Sequence, residues 1–450
     1  MNVLYMIAST VIVLGILILI HEWGHFIVAR LSGVGVERFS VGFGKVLWSY
    51  RGKETEYCLS AVPFGGYVKM MGDDENPLEG GKTGTVDPAK AFNGKPLWIR
   101  FLIVFAGPGM NFVLAAIILA VLAMVVGRAV IPPVVGSVAQ SGPAAQAGIR
   151  SGDRIVAVDG RPVRDWGDVL SGVQAGRGRP MTVAVKGQEG ERQLSVTPVS
   201  TQVCDEVGDK REVWDLGAQP FLAPVIGDVI PDLPAAKAGL RSGDRVLAVD
   251  GKPVSTWDEM AQTIHGRPGV PTRLDIRRGS ETLAVTVTPE APKQVSADCK
   301  AMGLIGIGQA FSGEVIRPNP AVAVWQGFKN TAHYTDITVR AFYKLVAGRL
   351  DRSNIGGPIQ IAMSAGQQAR QGVTSLAVFT ALISVNLFVL NLLPVPMLDG
   401  GHLLFFCFEA VLGRPLSVRK REVAQQVGFA LLMLLMVFAV YNDLKRIGLF

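Results

Sequence analysis

The sequence predicts a polytopic α-helical membrane protein with four transmembrane helices, a membrane-associated β-rich segment on the cytoplasmic side, and two tandem α+β domains. Three observations predict it. Four stretches of this 450-residue chain are apolar and long enough to cross a bilayer, and 49% of all residues are hydrophobic. The block 135–169 recurs at 226–260, an offset of 91 residues. Between the first two apolar stretches, residues 36–70 are rich in glycine, aromatic and β-branched residues, which predicts strands and hairpins.

The first span runs from about Leu4 to Val28 and carries no charge before His21-Glu22-Trp23-Gly24-His25. On a helix, positions i and i+4 share a face, so His21 and His25 can bind one metal ion. Glu22 is then placed to take a proton from a water on that metal. Ionisable side chains inside such a helix cost about 2.5–3.5 kcal/mol each on insertion scales, so three together need compensation, which a bound zinc supplies. A cleaved signal peptide does not fit. Residues 1–5 hold no Lys or Arg, no small-residue cleavage site follows, and cleavage would discard the motif.

The second span, about Leu97 to Val126, contains Ala106-Gly107-Pro108-Gly109-Met110-Asn111. Its small residues permit close helix approach, and its Asn needs an internal partner. The third, about Leu376 to Leu398, ends in Asn391-Leu392-Leu393-Pro394-Val395-Pro396-Met397-Leu398-Asp399-Gly400-Gly401, and the fourth runs from about Val427 to Tyr441. The stretch 72–90 is polar and Gly-rich, predicting a mobile loop, and 320–372 is too charged to span, predicting amphipathic helices at the outer surface. The boundaries are 1–30 for the first span, 31–96 for the β-hairpin region and loop, and 97–127 for the second span. The repeats occupy 128–220 and 221–311, followed by amphipathic helices over 312–372. The third span covers 373–398, a loop opening on Leu-Asp-Gly covers 399–424, and the fourth span with its tail covers 425–450.

Basic residues set the orientation. None precedes the first span, whereas ten, from Arg30 to Arg100, separate spans one and two, and Arg414, Arg419, Lys420 and Arg421 separate spans three and four. Those loops are expected in the cytoplasm, with both termini and residues 128–372 on the outside. The formal charge of +7 comes without a Lys/Arg run interleaved with aromatics, so it suits anionic lipid and not nucleic acid. The four cysteines, Cys58, Cys204, Cys299 and Cys407, form no CxxC, which excludes a zinc ribbon; Cys204 and Cys299 could pair in an oxidising compartment.

A catalytic zinc has three protein ligands and one open position. Asp399 is the only acid near the third span and lies at its cytoplasmic end, the same expected depth as His21 and His25, so it is the expected third ligand. His265, His333, His402 and Glu409 fall in the second repeat, the amphipathic region and the last loop, and read as ordinary polar residues.

Within the repeats, Ala147-Gly148-Ile149-Arg150-Ser151-Gly152-Asp153-Arg154-Ile155 returns as Ala238-Gly239-Leu240-Arg241-Ser242-Gly243-Asp244-Arg245-Val246, each copy closing on Asp-Gly. The pattern resembles the PDZ domain, which takes an extended peptide along a sheet edge and its carboxylate on backbone N–H groups. By that resemblance Leu216-Gly217-Ala218 and Ile305-Gly306-Ile307 are carboxylate-binding loops, with Gly217 and Gly306 as candidate ligand-binding residues.

The motif in the first span, Asn-x-x-Pro-x-Pro-x-Leu-Asp-Gly in the third, and two PDZ-like copies between spans two and three together resemble the site-2 protease family of M50-type intramembrane zinc metalloproteases. The resemblance covers essentially the whole chain. It implies a metalloendopeptidase of the bacterial inner membrane with one zinc per chain on His21, His25 and Asp399, and Glu22 as base. It implies single-span substrates: an anti-sigma factor already trimmed on its outer side, in envelope stress signalling, and remnant signal peptides. It makes the outside the periplasm, where the PDZ pair would exclude bulky outer domains. A transmembrane substrate must unwind locally, and freed backbone groups need partners. Strands around 36–70, with Gly65 and Gly66, could supply an edge, and the Asn391 amide could bond the exposed backbone. Glycines and prolines at 107–109 and 394–396, Pro394 among them, would let helices part. Two rivals are a non-catalytic membrane scaffold of PDZ domains and a metal transporter. The first leaves four polar groups at one depth unexplained, and the second needs polar residues continuing along several spans.

Overall fold

A computed structural model describes residues 3–72, 87–205, 209–230, 233–291, 303–310, 313–349 and 356–449, the side chains of Pro63 and Phe64 excepted. It divides into two compact units, 1–126 with 318–450, and 127–317. The expected mobile stretch 72–90 lies mostly outside the described residues, as does Cys299; Cys58 and Cys407 are not in disulfides.

Helix α1 (Val3–Leu31) is one uninterrupted apolar helix that carries the His-Glu-x-x-His motif in its last third. The chain then forms β1 (Val36–Arg51) and β2 (Glu56–Met70), each bent so that four short runs lie side by side. Residues 46–51 pair with 56–60, these with 36–41, and the latter with 66–70, as Trp48↔Leu59, Phe39↔Tyr57 and Phe39↔Val68 show. The run 66–70 is therefore an edge. At the sheet's root, Glu54 bonds Lys90 and pairs with Arg30, and these cations hold its carboxyl down at about 2. Helix α2 (Leu97–Val125) follows, with Pro108 inside it.

Residues 127–317 enter through β3 (Arg128–Val130) and contain two copies of one topology. The first has β4 (Val135–Val138), α3 (Pro143–Gln146), β5 (Arg154–Val158), β6 (Arg161–Pro162), α4 (Trp166–Gly176), β7 (Met181–Gly187), β8 (Gly190–Val196), the hairpin β9 (Val199–Cys204) and β10 (Lys210–Asp215), and β11 (Ala218–Pro220). The second has β12 (Ile226–Val229), α5 (Pro234–Lys237), β13 (Arg245–Val249), β14 (Lys252–Pro253), α6 (Trp257–His265), β15 (Thr272–Arg278), β16 (Glu281–Val287) and β17 (Ile307–Gln309). Their sheets run β6-β5-β7-β8 and β14-β13-β15-β16, and β11 pairs with β4 as β17 pairs with β12. Each copy closes its own core, around Ile155, Val169 and Val183 in one and Val246, Met260 and Leu274 in the other. Strand β18 (Glu314–Ile316) returns beside β3, so the unit enters and leaves through one two-stranded ribbon.

Helix α7 (Pro320–Val346), with Asn319 as its N-cap, packs along α2: a β-carbon on Gly327 would overlap the Ala116 carbonyl, and Tyr334 joins the cluster around Ala115, Ala381 and Val385. It thus buries one face against α2 and the cluster around Ala381 and Val385. Helix α8 (Pro358–Gln371) precedes α9 (Val373–Asn391), which ends earlier than the third span predicted to reach 398. Leu392–Leu398 turn back, and a further helix, α10 (Asp399–Leu412), stands where a loop was predicted. Added β-carbons on Gly400 and Gly401 would overlap the backbone of Leu393 and Val395, so both glycines admit the turn against the helix. Leu403 and Phe406 then bury that helix beside Ile103 and Phe92. Among the described residues, helix α11 (Val418–Arg446) completes the four helices long and apolar enough to cross a membrane, with α1, α2 and α9.

Candidate metal centre

His21 and His25 lie one turn apart on α1, and Asp399 opens the first turn of α10. The structure brings the three together. His21 Nε2 stands 3.1 Å from Asp399 Oδ2, His25 Nε2 3.6 Å from Oδ1, and the two Nε2 atoms 3.2 Å apart. Zinc bonds of about 2.0–2.1 Å in a tetrahedron put neighbouring ligand atoms about 3.3 Å apart, so this donor set fits one zinc ion and leaves a fourth position. Among the described residues this is the one such His/Cys/Asp/Glu group.

Local packing aims the ligands. The Ile103 carbonyl can only accept, so His25 donates from Nδ1 at 2.8 Å and leaves the Nε2 lone pair available to a metal ion. The His25 ring lies where a β-carbon on Gly107 would be, and α1 crosses α2 so closely that a β-carbon on Gly24 would overlap the Ala106 carbonyl. Gly107 comes from the Ala-Gly-Pro-Gly run in the second span, and Gly24 from the His-Glu-Trp-Gly-His motif itself. The Ile103 carbonyl gave no signal in the sequence, because any residue carries one.

Glu22 is half-buried, follows His21 directly on α1, and is not in the candidate ligand group. Gly66 lies against it, where an added β-carbon would sit 2.8 Å from Glu22 Cγ. The edge strand 66–70 therefore borders the site. Gly65, at φ +121°, makes the bend that leads into it, and a β-carbon there would strike the Phe43 ring. Asn391 ends α9 with Nδ2 3.5 Å from His21 Nδ1, and Asn111 on α2 puts its Nδ2 at 3.3 Å from the same atom. Pro394 is exposed in the turn between α9 and α10. Glu409 pairs with Arg100, away from the ligand atoms.

Gly217 and Gly306 belong to the unit 127–317. Both take positive φ, and their carbonyls accept from Ala139 and Ile230 N–H. The Gly217 N–H donates to the Asp215 carboxylate at 2.9 Å, so the first loop already holds a carboxylate of the chain's own; Leu304 stands at the matching place in the second.

Among known families, the model of peptidase family M50 matches residues 9–435. The chain is 38% identical over 445 residues to a Neisseria meningitidis protein provisionally named a zinc metalloprotease, covering 96% of this chain and 97% of that one. It is 37% identical over 462 residues to the Regulator of sigma-E protease RseP of Escherichia coli, covering 99% and 100%. The Protease RseP of Yersinia pestis matches at 37% over 461 residues, again covering 99% and 100%.

Proposed function

The chain belongs to peptidase family M50, and from that premise we propose that it is a zinc-dependent intramembrane endopeptidase of the bacterial inner membrane. The observation that carries the reading is the triangle of His21, His25 and Asp399, with ligand atoms 3.1–3.6 Å apart and Glu22 beside it on helices of spanning length. Bound there, one zinc ion per chain supplies Lewis acidity, acidifying a water and polarising a carbonyl. Glu22 takes the proton of the attacking water and returns it to the leaving amine. The edge strand 66–70 lies beside Glu22, so an unwound substrate segment pairing with it satisfies backbone groups that lipid cannot. The Asn391 amide, 3.5 Å from His21 Nδ1, and the exposed turn at Pro394 would offer that segment further contacts.

The relatives named for sigma-E regulation support single-span substrates of that pathway, such as a pre-cleaved anti-sigma factor, and the same chemistry extends to remnant signal peptides. The basic loops support a cytoplasmic-side active site, with the PDZ-like pair and both termini in the periplasm. In that arrangement the pair gates access, and the Asp215 carboxylate leaves the second copy, with Gly306, as the better receptor for a peptide C-terminus.

The experiment pairs purified wild type with Glu22→Gln, measuring metal content by mass spectrometry and cleavage of a model single-span substrate. One zinc per chain in both, with cleavage in the wild type alone, is expected. Equal cleavage by both would remove Glu22 from the chemistry, and metal in neither would remove the centre.

A further inference from the structure

We propose that Asn111 is the positioning residue of the metal ligand His21, accepting the His21 Nδ1–H through its side-chain oxygen. The inference rests on the metal-centre reading. Asn111 is completely buried in α2, and Ser384 Oγ fastens its backbone by donating to the Asn111 carbonyl at 2.7 Å. Its Oδ1 has no hydrogen-bond partner among the described residues, while its Nδ2 faces His21 Nδ1 at 3.3 Å. That orientation conflicts with the centre. His21 turns Nε2 toward Asp399 and His25, and a neutral imidazole that gives Nε2 to a metal carries its proton on Nδ1. Two N–H groups would then point at each other.

An amide's oxygen and nitrogen have the same shape, so their assignment follows from the hydrogen bonds. Exchanging them sets Oδ1 against the Nδ1–H. It trades a donor–donor clash and an orphaned acceptor for a single buried donor. Asn391 is the competing partner, but it is 3.5 Å away and half-buried. The division of labour follows: Asn111 holds His21, which leaves the Asn391 amide for substrate backbone. A hydrogen bond of this kind fixes a ligand's tautomer and ring plane, and its loss costs about 10–100-fold in metal affinity.

Zinc affinity of the full chain in detergent, read by chelator competition, tests this with Asn111→Leu, Asn111→Asp and Asn391→Leu. The absorption spectrum of the cobalt-substituted proteins reports ligand geometry in parallel. Asn111→Leu should bind zinc about 10–100-fold more weakly with an altered cobalt spectrum. Asn111→Asp, an acceptor only, should stay within a few-fold of wild type, and its retained spectrum would show that packing alone is not at issue. Asn391→Leu should leave zinc affinity unchanged. Wild-type affinity in Asn111→Leu, equal loss in Asn111→Asp, or loss in Asn391→Leu alone would each overturn the proposal. A wild type that binds no zinc would overturn the metal centre itself, and the proposal with it.

Discussion

A β-carbon at Gly107 would overlap the His25 ring, whereas one at Gly109 would meet Phe105 at 3.4 Å, an ordinary contact. The pair isolates one effect on one helix. Gly107→Ala must push the imidazole out of line with His21 and Asp399, and should weaken zinc binding at least about tenfold, in keeping with other losses of ligand orientation. Gly109→Ala should bind zinc as the wild type does; metal retained after dialysis against a chelator checks both. At this scale the sequence exposes the candidate ligands and hides what aims them. His21, Glu22, His25 and Asp399 stand out because ionisable groups in spanning segments need a reason. Gly107 is visible as a small residue, but that its empty side holds a histidine is a fact of the α1–α2 crossing. Asn111 announces a need for a partner without naming one.

Elements show the same division. The repeats are readable to the residue, since the Gly-Asp turn and the caps are local chemistry: Thr256 and Glu259 form a capping box at the start of α6. Burial would raise the Asp244 carboxyl, but the Arg278 guanidinium, at 2.8 Å from each oxygen, and the Arg241 N–H hold it below the usual carboxylate range. A depressed folded pKa contributes stability that is present above the ordinary value of about 3.9 and is lost as pH falls through the lower folded value. Amide exchange in β13 and β15 should therefore accelerate below about pH 4, and Asp244→Asn should flatten that dependence. What crosses between elements is not readable. Asp443 near the end of α11 is buried, and its carboxylate accepts from the N–H groups of Gly357, Ile359 and Gln360, capping α8 from another helix. Nothing near residue 443 or 357 in sequence signals this. Asp443→Ala should cost about 2 kcal/mol by leaving helix-start donors unsatisfied, seen as faster exchange confined to 357–371. The turn that makes α10 a helix is hidden for a like reason, because Gly400 and Gly401 serve contacts with residues several positions earlier.

For the whole molecule, the ribbon of β3 and β18 makes gating by the unit 127–317 directly testable. Val130 pairs with Glu314 and Arg128 with Ile316, so the two chain ends of that unit lie side by side within it. Joining Val130 to Glu314 through Asn-Gly asks for a two-residue hairpin, a connection whose turn matches the twist of antiparallel strands. Such a chain lacks both repeats and their two self-contained cores, yet keeps α1, α2, α9, α10 and every residue of the candidate metal centre. It should bind one zinc and cleave a single-span substrate at a rate close to that of the full chain. The gate predicts one difference: a substrate that still carries its bulky outer domain resists the full chain and is cut by the shortened one. Continued resistance in a shortened chain that binds zinc and cleaves trimmed substrate would locate the discrimination among the helices and the edge strand 66–70, and leave the paired domains another task.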